Sequence, residues 1–343
     1  MKYFNFGNTG MNVSEVGFGC IPIIRLQASE AVKVLRHAYD KGINFYDTAN
    51  MYRDSEAKIG EALSPFRDKI FIASKTTRRD AAGLRENLEN SLRMLKTDYL
   101  DLYQFHQVAN DTEWEKITRE GGAWEEAQKA KEEGKIRFLG VSSHNLPMAI
   151  KLVKTGLFST IQFAFNFIET DAQEQLHPYA RENGIGILIM KPFAGGVIDN
   201  AAIAFKYLRQ SPSILPIPGY DSTKSVDEIV SFYDHPNTVT EDDKRIMERY
   251  RRELGEVFCR RCEYCQPCPN GVIITPAMGY PIVTSRMSPS VSVNFLKIAM
   301  ESVPKCTECG LCVEKCPYEL PIPELLKKHY DMYETHRAKL SLK

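Results

Sequence analysis

Net charge is the first thing this sequence lacks. Lysine plus arginine number 44, as do aspartate plus glutamate, so the formal charge over 343 residues is zero. That balance excludes bulk nucleic-acid binding and a polybasic membrane anchor. No window approaches about 18 uninterrupted apolar residues, so no membrane-crossing helix is expected. The opening MKYFNFGNTG has no apolar signal core, which points to the cytoplasm. A dinucleotide-binding fingerprint is missing too: the first strand-like run ends in GFGC and leads into Ile-Pro, not into a glycine-rich helix start. Cysteine is scarce, nine in all, and eight of these fall in two tight clusters near the end. Disulfides are unstable in the cytoplasm, so metal ligation accounts for the clustering better than crosslinks do, and buried free thiols would be scattered.

What is present is ordinary for a globular protein: 43% apolar and 26% charged residues. The length suits one large domain with an appendage. Eight short runs rich in Ile, Val, Phe and Tyr read as strands, at 14–19, 44–49, 70–75, 99–105, 136–143, 160–166, 186–192 and 213–219. Amphipathic runs lie between them. The run at 29–42 is predicted to start at a Ser29 cap and stop at Gly42, and that at 80–96 sets Leu84, Leu88, Leu92 and Leu95 on one stripe. Further helices are expected at 124–135, 147–156, 172–184, 201–210 and 222–233. Eight strand–helix units predict a (β/α)8 TIM barrel over residues 1–240; a doubly wound open sheet is the competitor but needs fewer units.

In such a barrel, chemistry sits where the strands end. Those positions hold Asp47, with Tyr52 in the following loop, then Lys75, His106, Ser142 and Ser143, Gln162 and Asn166, and Pro218-Gly219. Tyrosine titrates near ~10; an ammonium beside it lowers that value, and a carboxylate keeps the ammonium charged. Tyr52 is therefore read as a proton donor to an alkoxide, Lys75 as its tuner, Asp47 as the partner of Lys75, and His106 as the group orienting a carbonyl. Each residue alone is equally well explained by a structural role; the joint placement on consecutive strands argues for catalysis.

The stretches INFYDTANMYRDSEAKIGEAL, FIASK and DLYQFH resemble the aldo-keto reductase family, and the similarity runs from Ser14 to about Tyr233. The resemblance implies a catalytic tetrad at Asp47, Tyr52, Lys75 and His106. It also implies a nicotinamide cofactor bound in extended form at the barrel rim, with Ser142, Ser143 and Gln162 at the carboxamide. Lys191, Pro218, Gly219, Lys224 and Glu228 are the further cofactor contacts it implies. The chain departs from the family pattern at Arg53, usually glycine, at Ser143, often asparagine, and at Gly219, Tyr220 and Ser225, where many members grip a 2′-phosphate. Lys224 is the one cation near that position, so NAD and NADP both remain open.

The first cysteine run is Cys259, Cys262, Cys265 and Cys268 followed by Pro269; the second is Cys306, Cys309, Cys312 and Cys316 followed by Pro317. Three cysteines two residues apart, a fourth after a short gap, then proline, is the bacterial ferredoxin run. The second cluster matches it fully, and the first is one residue short before its last cysteine. Two zinc ions are the alternative. In two-cluster ferredoxins the fourth cysteine of each run serves the other cluster. Transferred here, Cys259, Cys262, Cys265 and Cys316 hold one [4Fe-4S] cluster, and Cys306, Cys309, Cys312 and Cys268 hold a second. Should the shorter run not bind, one cluster remains and Cys268 is spare. The spacer of 37 residues carries a helix at 292–302, which favours a mostly helical ferredoxin-like domain over compact βαβ repeats. The expected layout is thus the barrel to 240, a connecting helix at 241–258, the iron–sulfur domain at 259–325 and a helical tail at 326–343. Cys20 stands apart as a core residue.

Together these readings resemble the ferredoxin-tailed branch of the aldo-keto reductases. They imply a cytoplasmic oxidoreductase acting on a small carbonyl or alcohol, with a redox partner protein as a further participant. Hydride carries two electrons and each cluster one, so coupling them calls for a flavin, a substrate radical or a partner. The rivals are an electron carrier or docking protein with a silent barrel, and a reductase whose clusters only brace the tail.

Overall fold

The structure, a computed structural model, describes residues 1–255, 257–261, 263–285, 287–316 and 318–341. Eight parallel strands follow one another around a single sheet: β3 (Phe18–Gly19), β4 (Phe45–Asp47), β5 (Phe71–Thr76), β6 (Leu100–Phe105), β7 (Ile136–Ser142), β8 (Thr160–Ala164), β9 (Gly186–Met190) and β10 (Ile214–Pro216). The sheet closes on itself. Gly17 N–H donates to Pro216 O at 2.9 Å, Gly19 N–H donates to Pro218 O at 2.8 Å, and Gly19 pairs in parallel with Gly219. The seam requires glycine at position 19, because a Cβ there would lie 2.6 Å from the Ile217 carbonyl oxygen. The expected barrel is therefore the observed one.

The sequence reading missed an antiparallel hairpin that precedes the barrel, β1 (Tyr3–Asn5) paired with β2 (Asn12–Ser14). Its strands are three residues each, too short to declare an alternating pattern. Asn8 N–H donates to the Gly184 carbonyl just before β9, and Ser14 N–H donates to the Asn44 side chain just before β4. The hairpin thus caps the N-terminal end of the barrel. Phe6, Met11 and Val13 pack there on Phe45, Ala73, Leu102, Leu188 and Leu215 to form an apolar floor. Gly7 reaches the Gly184 backbone at positive φ (55°), where a Cβ would come within 2.5 Å of the Gly184 oxygen.

Around the barrel lie α1 (Ala28–Asp40), α2 (Ser55–Leu63), α3 (Ala81–Leu95), α4 (Asp111–Thr118), α5 (Ala123–Glu132), α6 (Leu146–Lys154), α7 (Leu176–Glu182), α8 (Ala201–Leu208) and α9 (Thr223–Ser231). On α3 the leucine stripe is buried as expected, and Asp80 caps the helix by accepting from Gly83 N–H at 2.7 Å. The start of α1 differs from expectation. Gln27, not Ser29, is the cap, in a reciprocal box with Glu30.

Contacts divide the chain into two compact units: the barrel to Thr240, and the residues from Glu241 onward together with Gly195–Val197. The second unit holds α10 (Glu241–Gly255), α11 (Ile274–Met278), α12 (Tyr280–Thr284), α13 (Pro289–Phe295), α14 (Lys297–Ser302), α15 (Leu311–Glu314) and α16 (Ile322–Ser341). The single helix expected over 292–302 is two, because Leu296 leaves the helical region between α13 and α14 (φ −103°, ψ 9°). The core of this unit gathers Ala277, Tyr280, Val293, Met300, Leu326 and Tyr333, so α16 is part of its packing. Among the described residues no helix is long and apolar enough to cross a membrane.

Burial has a titratable consequence in the barrel. His177 on α7 is fully buried edge-on to Phe165, and neither ring nitrogen has a hydrogen-bond partner. Burial lowers it from the ordinary 6.5 to about 4. The unfolded chain then takes a proton that the folded barrel refuses, so stability is full above pH 6.5 and falls as pH drops towards 4, by about 1.4 kcal/mol per unit. Both tryptophans, Trp114 and Trp124, lie in the barrel. Urea unfolding followed by their fluorescence is expected to show a loss of about 2 kcal/mol for His177 between pH 7 and 5, absent in His177→Leu.

Candidate functional site

Side chains alternate along a strand, so residues two apart share a face. Phe45, Ala73 and Leu102 belong to the apolar floor. Counting up by two reaches Asp47, Lys75 and Gln104, which form a polar layer above it. Lys75 Nζ donates to Asp47 Oδ2 and to the Thr48 carbonyl, both at 2.6 Å. Gln104 Nε2 donates to Asp47 Oδ1 at 3.3 Å and to Gln162 Oε1 at 3.0 Å, and Gln162 Nε2 lies 3.5 Å from Asp47 Oδ2. Asp47 and Lys75 are 3% and 1% exposed. The layer spans β4, β5, β6 and β8.

His106 follows β6 on the same face as Gln104 and meets the ring of Tyr52 edge-on, centroids 5.8 Å apart. Lys75 Nζ lies 5.3 Å from the centroid of that ring. The four residues singled out from the sequence therefore converge. Gln104 was missed, although its place two residues before His106 on one strand was the available signal. Its Oε1 and the Nδ1 of His106 are buried without a protein partner, as groups awaiting a polar ligand would be.

The electrostatics correct one expectation. Tyr52 was expected to be lowered by Lys75; its phenol is instead pushed up, by burial first and then by the charge of Asp47. Burial also raises the Asp47 carboxyl, with the Lys75 ammonium and the two amides pulling the other way. His106 is held well below its usual range by burial, Lys75 and Arg79, so it is a neutral imidazole. Arg79 also fixes the loop, donating to the His106 carbonyl at 2.6 Å. Cys20 is wholly buried, with its thiol 3.5 Å from the Phe18 carbonyl.

Of the residues expected at a cofactor, Ser142 and Gln162 are register partners on β7 and β8. Ser142 Oγ accepts from Gln107 N–H at 2.9 Å. Ser143 Oγ donates to the Val108 carbonyl at 2.7 Å, which ties down its own loop. Lys191 stands at the end of β9, its Nζ 3.9 Å from buried Glu169; Asn166 donates to Glu169 and to the Lys191 carbonyl. Pro218 and Gly219 form the barrel seam. Lys224 and Glu228 are exposed on α9, whose N-terminus is capped by Ser222. The polar layer, with the unpartnered Gln104 Oε1 and His106 Nδ1, fits a carboxamide-bearing cofactor and a carbonyl substrate.

In the second unit the cysteines line two cavities. Cys259, Cys265 and Cys316 line one; Cys268, Cys306, Cys309 and Cys312 line the other, with Cys265 on its wall. The last cysteine of each run thus lies with the other run. Cys262 falls outside the described residues. Among the described residues no three His, Cys, Asp or Glu side chains close on a single ion. The pairing of each run's last cysteine with the other run is the arrangement of two-cluster ferredoxins.

Comparison with known proteins agrees. Residues 15–204 match the aldo/keto reductase family, and residues 258–320 match a 4Fe-4S dicluster domain. The Bacillus subtilis (strain 168) oxidoreductase YrpG is 28% identical over 233 residues, 59% of this chain and 70% of that protein. L-Galactose dehydrogenase of Arabidopsis thaliana is 28% identical over 211 residues, 56% of this chain and 65% of its own length. The holo aldo-keto reductase AKR11C1 of Bacillus halodurans superposes with a TM-score of 0.62 at 23% identity, over 73% of this chain and 96% of that one, which is a likeness of fold.

Removing one half of the buried pair leaves the other uncompensated. Lys75→Met is expected to cost about 3–5 kcal/mol in urea unfolding, and Asp47→Asn in the same background to recover most of it.

Proposed function

The chain belongs to the aldo/keto reductase family and carries a C-terminal 4Fe-4S domain, and from that premise we propose that it interconverts a small carbonyl and its alcohol with NAD(P) and moves electrons through two [4Fe-4S] clusters. The observation that carries the reading is the convergence of Tyr52 and His106 over the buried Lys75–Asp47 pair. When bound, the nicotinamide supplies or accepts the hydride. Gln162 and Ser142 flank the position where its carboxamide would sit, and the neighbouring Lys191, Gly219 and Lys224 are the proposed contacts for the rest of the cofactor.

Tyr52 stays a neutral phenol until a carbonyl oxygen gains charge, and then gives that oxygen its proton. Raising the phenol by burial keeps the proton in place beforehand. Lys75, paired with Asp47 and within reach of the ring, stabilises the phenolate as it forms. Neutral His106 presents an N–H to the same oxygen and orients it. In the oxidative direction the phenolate takes the proton back. The clusters pass electrons singly, so the proposal includes a redox partner protein, in a reducing cytoplasmic setting that keeps the eight thiolates available.

Full-length protein purified without oxygen is expected to carry about eight irons with matching sulfide, as two such clusters require. Zinc in place of iron would end the electron-transfer half of the reading. Tyr52→Phe is expected to lower kcat about 100- to 10,000-fold while nicotinamide binding, read by fluorescence quenching, is unchanged. Turnover within twofold of the parent would remove Tyr52 from its role.

A further inference from the structure

The two cysteine cavities differ in their charged lining: Arg260 and Glu263 in one, Lys315 in the other. Arg260 directly follows Cys259, and Tyr318 comes two residues after Cys316. The guanidinium carbon of Arg260 lies 3.6 Å from the centroid of the Tyr318 ring, and both side chains line the cavity of Cys259, Cys265 and Cys316. The stack therefore joins the two chain segments that deliver the first and last cysteines of that cavity. A guanidinium cannot lose its charge, and a planar contact on an aromatic face holds it in one place.

In the other cavity the cation is Lys315, which is exposed on a flexible stem in water. Its charge is screened far more than that of half-buried Arg260. Glu263 also lines the Arg260 cavity, from an exposed position, so its opposite charge is screened as that of Lys315 is.

We propose that Arg260, clamped over Tyr318, raises the reduction potential of the cluster held by Cys259, Cys265 and Cys316 and so makes the two clusters inequivalent. The inference rests on the reading that each cavity holds a cluster. A reduced cluster carries one more negative charge than an oxidised one, so a fixed cation beside it favours reduction. Arg260 acts here as a positioning and tuning residue; the thiolates do the binding.

The test is a redox titration of the full chain, purified without oxygen and followed by electron paramagnetic resonance. The parent is expected to show two resolved reduction steps. Arg260→Leu should move one step to lower potential and leave the other in place, with iron content unchanged. Arg260→Lys should restore part of the shift, Tyr318→Leu, which frees the guanidinium, should move the same step downward, and Lys315→Met should move neither. Full iron in Arg260→Leu with both steps unmoved overturns the proposal. Should that variant lose iron, Tyr318→Leu decides: no downward movement of one step alone overturns it too. A parent without cluster signals would instead refute the cluster reading on which the inference stands.

Discussion

A lysine and an aspartate meet at 2.6 Å where almost no water reaches them, on adjacent strands of a closed sheet. Taking two charges out of water costs several kcal/mol each, and their attraction repays that only when the remaining hydrogen-bonding capacity is also met. Here it is met by the Thr48 carbonyl and by the amides of Gln104 and Gln162. The arrangement needs four strands in register, and the register needs the barrel to close. Closure in turn depends on Gly19, since any larger residue at the seam would strike the backbone of the last strand. The polar layer and the apolar floor beneath it are successive steps of one period-two pattern.

The same layer sets the chemistry of the mouth. Burial keeps the phenol protonated and the imidazole neutral in the resting site. A proton donor that yields only when charge appears opposite it suits the proposed reaction. The second unit is built on a different economy. Between α10 and α16 its helices are short and its core small, with Cys259, Cys265, Cys268, Cys306, Cys312 and Cys316 packed against the edge of that core. A small apolar core stabilises a fold weakly, so inorganic cages would act as crosslinks there as well as carriers.

Much of this was legible beforehand. Seven of the eight barrel strands fall within the runs of β-branched and aromatic residues that announced them, and β5 runs one residue past its own to Thr76, because strands buried on both faces are largely apolar. The leucine stripe of α3 and the two cysteine runs were equally plain. Other features were not. The hairpin β1–β2 and helix α2 carry too short or too mixed a pattern, and Gln27 took the cap from Ser29 because Glu30 could reach back to it. Gln104 was overlooked since a glutamine inside an apolar strand carries no motif of its own.

The chain's order of residues alone determined the strand count, the spacing of the thiols and the types of side chain at each strand end, since these follow from local periodicity and short-range spacing. The tertiary structure alone decided which of them touch. Asp47 meets Gln162 across 115 positions of chain. The direction of each shift in proton affinity was likewise decided there, because burial is a property of the closed barrel and of no segment within it.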